Sequence, residues 1–456
     1  MEMKLMTTLA IIATLLMHHL PLSITSTADH RTLDNSSSTG FSFPIVTDHT
    51  FDLGTDGFLH LKNNLQADML LSLGDSSLVE NITTLGTEIM SIIKVPIRMV
   101  VDVGTGRGQQ RYVLKVSTAS ILTWIQCHPC NPKVSQQGPI FQPDESPTCV
   151  MVSGTDPICD PPYTPMYNGT RCMFVVAGPP DNAAATGYLA RDHFAKEGNV
   201  FPAFQFGCSH STVHFQSQGV YAGIISVGRA PTSLVMQLAA HGLTHFSYCL
   251  SGGIEANRQG FLRFGSDVPL NHQHYRSTRI LQSLHAFESE YFVSLVGLSL
   301  GAQRLNKIRP EMFARRSDGQ GGCVIDLGTP LTVLVMEAYQ VVEEALWSDL
   351  KYHGAERVKQ SGFGLCVRAT KAVKGHLQSL SLHFLEEEAV MALSPAQLFL
   401  MMNDKQGQIA CLAMMPGRRT IIGAFQQVDT RFVYDLKDSK LLFAPESCTK
   451  DTIQVV

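Results

Sequence analysis

Cysteine is missing from the first 126 residues of this 456-residue chain, and all eleven cysteines lie beyond them, the first at Cys127. The N-terminal quarter therefore cannot be stapled by its own disulfides. Charge is scarce too. Asp, Glu, Lys and Arg make up 16% of the sequence, against roughly 25% in soluble domains, which argues against disorder for the chain as a whole. No run of Lys or Arg occurs and the net charge is −4, so nucleic acid is excluded as an electrostatically held partner. Beyond the N-terminus no apolar run reaches 18 residues, so no membrane span is expected. Helical periodicity is also rare, which leaves strands and turns to build the core.

What is present begins with Lys4 and an apolar stretch from Leu5 to Met17, followed by small residues from Ser23 to Ala28. This pattern predicts a secretory signal peptide over residues 1–28, the alternative being an N-terminal core helix. Sequons at Asn35, Asn81 and Asn168 agree with export. In an oxidising compartment the eleven cysteines read as disulfides with one thiol left over. Residues 29–94 carry nine acidic residues against three basic ones and little periodicity. They read as a leader or pro-region, poorly ordered in part.

From residue 95 the texture changes to short alternating strands. Ile97–Val103 and Tyr112–Val116 flank a Gly104-Thr-Gly-Arg-Gly108 loop. Such a loop can cradle phosphate when a helix follows, but here a strand follows and a hairpin is predicted. Further strands are predicted at Phe201–Phe206, Phe261–Phe264, Phe292–Ser299, Cys323–Ile325, Thr420–Ile422, Phe432–Tyr434 and Lys440–Phe443. Helices are predicted over Ser233–Ala240, with Thr232 as N-cap, and over Val335–His353, closed by Gly354. The fold class is therefore all-β with few helices.

A faint internal repeat is visible. Ser117–Trp124 (STASILTW) aligns on Asp326–Val333 (DLGTPLTV), and each copy is followed about a hundred residues later by paired isoleucines, Ile224-Ile225-Ser226 and Ile421-Ile422-Gly423. Two lobes of related structure follow from such a repeat. Cys127-His-Pro-Cys130 can be read as a redox pair or as half of a zinc site. No βαβ pattern surrounds it and no second cysteine pair at metal spacing occurs, so structural disulfides are expected and no metal.

These strings carry a family resemblance. "WIQCHPC", "FQFGCS", "FSYCL", "GGCVIDLGTPLTVL", "GFGLCV", "CLAMMPGRRTIIGAFQQ" and "FVYDL" occur in order over residues 95–450, and the chain resembles pepsin-like aspartic proteases of the plant nepenthesin type. The resemblance implies a bilobal β fold with a cleft between an N-terminal lobe, 95–280, and a C-terminal lobe, 281–456. It implies one catalytic Asp per lobe, with the two carboxylates sharing a proton, and no cofactor. It also implies the pairs Cys249–Cys448 and Cys366–Cys411, and leaves buried Cys323 as the candidate free thiol.

The resemblance places the first catalytic Asp on Ser117 and the following Gly on Ala119, while Asp326, Gly328 and Thr329 remain in the second copy and Leu327 replaces a small hydroxyl residue. Thr118 and Ala119 are expected to line the cleft with Gly328 and Thr329. Ser226 stands where the family has Gly, the flap segment after Cys172 has Gly178 near the Tyr position, and the leader is acidic where the family's is basic. A serine hydroxyl does not ionise near neutral pH. Asp326 can serve as a remnant catalytic carboxylate or as a turn residue that accepts backbone hydrogen bonds.

The expected protein is a secreted monomer, in the apoplast or alternatively the vacuole, with peptidase activity lost or strongly weakened and a cleft that binds peptide or protein. Plant proteins of this fold that inhibit xylanases show that binding without proteolysis is open to it. The alternatives are an active endopeptidase using Asp326 with a second, unidentified group, and, remotely, a disulfide oxidoreductase through Cys127 and Cys130.

Overall fold

A computed structural model describes residues 31–32, 40–47 and, with short interruptions, 97–450. The expected signal segment, most of the expected leader and the three sequon asparagines Asn35, Asn81 and Asn168 lie outside the described residues.

Strands form where apolar residues alternate. Within the expected leader, Phe41–Thr47 (β1) is a strand paired antiparallel with Gln259–Phe264. Its Phe41, Phe43 and Ile45 are buried, and Phe41 lies 4.9 Å from Phe43 and 5.2 Å from Phe264 between ring centroids. This part of the leader belongs to the core, because the short apolar alternation of FSFPIVT outweighs the polar residues around it. Ile97–Val103 (β2) buries every second residue. Gln110–Ser117 (β3) buries Tyr112, Leu114 and Val116 and turns Val113, Lys115 and Ser117 to its other face, as the period of two requires. The two strands pair antiparallel from Val103↔Gln110 to Arg98↔Lys115. The glycine-rich segment between them is a hairpin connection, with Gly104 and Gly106 at φ +86° and +61°.

The repeat seen in sequence is a repeat of topology. In the first half β3 runs parallel to Gly223–Ser226 with Ser117 opposite Ser226. That strand is antiparallel to Trp124–Gln126 (β4), pairing Ile224 with Trp124; Gly223–Ser226 is β5. In the second half Cys323–Ile325 (β6) runs parallel to Thr420–Ile422, and the latter is antiparallel to Thr332–Val335 (β7), pairing Ile421 with Val333. Thr420–Ile422 is β8. Each copy thus enters a loop from one strand, leaves by a second, and has a third laid between them. The residues paired, Trp124 with Ile224 and Val333 with Ile421, are those the sequence repeat aligns.

The halves are joined by strand pairing. Arg431–Asp435 returns to pair antiparallel with His245–Cys249, and Tyr434 stacks on Phe246 at 4.4 Å. Leu234–Ala240 (α1) is capped by Ser233, whose side chain accepts from Met236 N at 3.2 Å. The expected cap, Thr232, instead donates to Ile121 O at 2.9 Å. Met336–Tyr352 (α2) buries Ala338, Tyr339, Val342, Leu346 and Leu350, an apolar stripe at helical spacing. Gly354 at φ +77° follows its end.

Disulfides join Cys127 to Cys208, Cys159 to Cys172, Cys249 to Cys448 and Cys366 to Cys411. Cys130, Cys149 and Cys323 are free thiols. The expected disulfide at Cys130 and the count of one spare thiol are therefore corrected. Cys127 is fully buried and faces Cys208 on the strand parallel to β4, whereas Cys130, beyond the end of β4, has its sulfur 3.8 Å from Thr212 Oγ1.

Candidate functional site

Asp326 lies just past the end of β6. Its backbone N–H donates to Ile422 O at 3.1 Å, which ties the loop to β8. Its carbonyl accepts from Gln427 Nε2 at 3.1 Å, and the same amide group reaches Ile422 O at 2.8 Å. Gln427 Oε1 in turn accepts from the buried Tyr248 hydroxyl at 2.7 Å, which lies 3.0 Å from the hydroxyl of Tyr434. A buried polar chain anchored in both halves thus fixes this backbone.

The carboxylate accepts three hydrogen bonds. Oδ1 takes Gly328 N at 2.9 Å and Thr118 Oγ1 at 2.6 Å, and Oδ2 takes Thr329 Oγ1 at 2.6 Å. Asp326 is 8% exposed, so the three donors stand in for much of its lost hydration. Thr118 comes from the first half. Its hydroxyl donates to Asp326 and accepts from Leu327 N at 3.0 Å. The contact is one-sided, because Leu327 has no hydroxyl to return to the first-half loop and is itself buried.

Ser117 occupies the corresponding place in the first half. Its Oγ accepts from Ala119 N at 3.3 Å and Ser120 N at 3.1 Å. The hydroxyl thus serves the turn as Asp326 Oδ1 does, without the charge. Ser226 Oγ donates to Ser120 O at 2.6 Å. Ser289, from the second half, donates to Ala119 O, and Tyr291 donates to Val227 O at 2.8 Å.

Ser117, Thr118 and Ala119 are therefore brought against Asp326, Gly328 and Thr329 through the Thr118–Asp326 bond. Among the described residues no carboxyl group shares a hydrogen bond with Asp326. Asp102, the nearest carboxylate upstream of Ser117 in sequence, is held by Arg111 at 2.8 Å. Arg171–Gly178 and Asn182–Lys196, the segment expected to serve as the flap, form a hairpin paired as far as Gly178↔Asn182. Tyr188 is committed within it, its ring packed 4.8 Å from His210.

Lys115, Ser289 and Gln427 were not anticipated as parts of the site. Lys115 lies on the same strand face as Ser117, two residues before it. Burial lowers its pKa, and the Asp326 carboxylate pulls in the opposite direction. A lysine on the alternation of an otherwise apolar strand was the available signal. Ser289 and Gln427 carried none, since only the fold brings them to the loops.

Chemically, the site holds one carboxylate that can act as a base or, once protonated, as an acid, facing a turn that offers an alcohol. The Cys127 and Cys130 sulfurs are not joined to each other, and burial pushes the Cys130 thiol up. A redox pair is not assembled. No group of three or more potential metal ligands occurs among the described residues.

Family models described as xylanase inhibitor N-terminal and xylanase inhibitor C-terminal match residues 99–266 and 290–445. Aspartic proteinase nepenthesin-1 of Nepenthes gracilis is 30% identical over 352 residues, covering 76% of this chain and 77% of that protein. Nepenthesin-2 of the same plant is 28% identical over 351 residues, with 76% and 77% covered. Among solved structures, that of edgp superposes with a TM-score of 0.64 at 19% identity, over 91% of this chain and 98% of that one. Basic 7S globulin from soybean superposes with a TM-score of 0.60 at 18% identity, over 90% and 99%. At these identities the two structures speak for the fold, a bilobal, β-rich pepsin-like one with a cleft between the lobes. Matched along both halves by these models and by nepenthesin-1, the chain belongs to the pepsin-like aspartic protease family, in company with nepenthesin-like plant proteins.

Proposed function

We propose that this chain is a secreted monomer that holds an extended peptide or a protein segment in its cleft and hydrolyses it slowly or not at all. The observation that carries this reading is the bonding of Ser117, whose Oγ is engaged by the Ala119 and Ser120 N–H groups in the place that corresponds to Asp326. Peptide hydrolysis on a carboxylate dyad needs one ionised member to activate water and one protonated member to polarise the carbonyl. A lone Asp326 cannot be both at once. Removing a positioned acid or base costs about 10²–10⁴-fold, and groups that act as a unit lose most of their effect when one is gone.

The remaining parts of the site suit holding rather than cutting. Asp326, Thr118 and Thr329 are already satisfied by one another, and the loop backbones are tied down from both halves. The family description points to glycoside hydrolases such as xylanases as one class of protein partner to try. The active-endopeptidase alternative requires a second carboxylate beside Asp326, and none is bonded to it among the described residues.

The test is an assay of the purified chain on a denatured protein substrate from pH 2 to 7, with and without pepstatin. Turnover is expected to stay at background and to be unchanged in Asp326→Ala. Pepstatin-sensitive turnover that disappears in Asp326→Ala would overturn the reading.

A further inference from the structure

A cavity of about 560 Å³ lies on the second half of the molecule, between α2 and the turn that follows Leu300. It shares no residue with the Asp326 site. Tyr352, at the last position of α2, lines it and is 87% exposed. Its ring is set edge-on to His353 at 5.2 Å, and His353 stacks on His376 at 3.9 Å, so the phenol is braced from behind while remaining open to solvent.

The polar groups around it are Asp349, Gln303, Gln378 and Ser348. Asp349 Oδ1 lies 3.8 Å from His353 Nδ1. Asp349 Oδ2 is buried and has no hydrogen-bond partner among the described residues, while the side chain as a whole is 28% exposed and open to the cavity. Gly301 is at φ +53°, and a Cβ there would come within 2.8 Å of Gln378 Oε1. The turn at Gly301 thus brings the backbone close beside the Gln378 amide. Leu305 supplies an apolar floor.

We propose that this cavity binds a neutral pyranose residue at the end of a saccharide. A pyranose has an apolar C–H face and a rim of hydroxyls. The exposed Tyr352 ring offers a flat apolar surface with a polar tip. Asp349 and the two glutamine amides offer planar acceptors and donors for neighbouring hydroxyls. The volume lies within the range of small-molecule sites. An anion would meet the Asp349 carboxylate, and a wholly apolar ligand would leave Asp349 and the amides unpaired.

The test uses the full chain, titrated by calorimetry and saturation-transfer NMR with tetrasaccharides of xylose, glucose, galactose and mannose, the last standing for glycans carried on glycoproteins. At least one is expected to bind with a dissociation constant below about 10 mM. Tyr352→Ala should weaken that binding about tenfold or more, equivalent to about 1.4 kcal/mol, and Asp349→Asn severalfold. Both variants should melt within a few degrees of the natural chain. The pattern across the four sugars then separates polysaccharide fragments from protein-borne glycans. Failure of all four to bind, or binding that survives Tyr352→Ala unchanged, overturns the proposal.

Discussion

Thr123 in the first half and Thr332 in the second make the same bond. Thr123 Oγ1 accepts from Ser226 N at 3.0 Å, and Thr332 Oγ1 accepts from Gly423 N at 3.0 Å. One residue pair of the repeat thus keeps its role in both halves. The residues it receives differ. A Cβ on Gly423 would lie 2.5 Å from the carbonyl carbon and oxygen of Leu331 and 2.8 Å from Thr329 O, so the second loop closes over a position that only glycine can fill. The first loop accommodates a serine there and bonds to it, Ser226 Oγ to Ser120 O at 2.6 Å. The frame of the repeat is kept while the loop that would present the first carboxylate is packed differently and presents an alcohol. A site can thus lose its acid without losing the hydrogen bonds that shape its turn, because a hydroxyl oxygen accepts backbone N–H groups as a carboxylate oxygen does.

Restoring the first loop should return the missing acid. Ser117→Asp combined with Ala119→Gly and Ser226→Gly is expected to raise peptidase turnover at least about 10²-fold. The gain should appear only below about pH 5, where a carboxylate pair can hold one proton, and should vanish with pepstatin or with Asp326→Ala. A triple variant that folds with an unchanged melting temperature and shows no turnover would place the loss outside this loop. Next in size, Gly423→Ala forces a side chain into backbone and should destabilise by about 3 kcal/mol, the upper end of overpacking costs. Ser226→Ala removes only its hydroxyl contacts and should cost about 1 kcal/mol. Chemical denaturation of the two variants reads the contrast, and equal losses would refute the packing difference.

Thr123→Val and Thr332→Val probe the bond that both halves keep. Each leaves a buried N–H unpaired, at about 1–3 kcal/mol, and the two losses should match within experimental error. The smallest effect is expected at Lys115. Its folded pKa is lowered, mainly by burial, so the folded state resists its charge. The penalty is fully present below the folded pKa and fades as the pH rises towards the ordinary lysine value. Lys115→Met should therefore stabilise the chain at pH 7, and the gain should shrink as the pH is raised towards 10.5. A gain that is flat with pH would assign the effect to packing alone.

Much of this was legible before folding. Cys323–Ile325 and Thr420–Ile422 are strands at the bounds read from sequence, because each is a short branched run cut off by Asp or Gly. The hairpin after Val103 was legible from its glycines, and α2 from its apolar spacing. Phe41–Thr47 was not, since seven residues inside a polar, acidic stretch leave too little pattern to rise above it. The partner of Cys127 was hidden as well. Cys130 is near in sequence, but strand pairing brings Cys208 beside it. The site was half legible: the residues at both loop tips follow from the repeat, while Ser289, Gln427 and the reach of Lys115 depend on elements far away in the chain.

Chemical identity is written in the chain: one loop carries a carboxylate and the other an alcohol, and no folding changes which of them can ionise. What surrounds each group depends on how the chain folds. The Thr118 hydroxyl crosses to Asp326 over a separation of 208 residues, the Gln427 amide holds the Asp326 backbone, and Ser289 closes on Ala119. Hydrogen bonds act over about 3 Å, so contacts between residues this remote exist only after strand pairing has brought the two loops together.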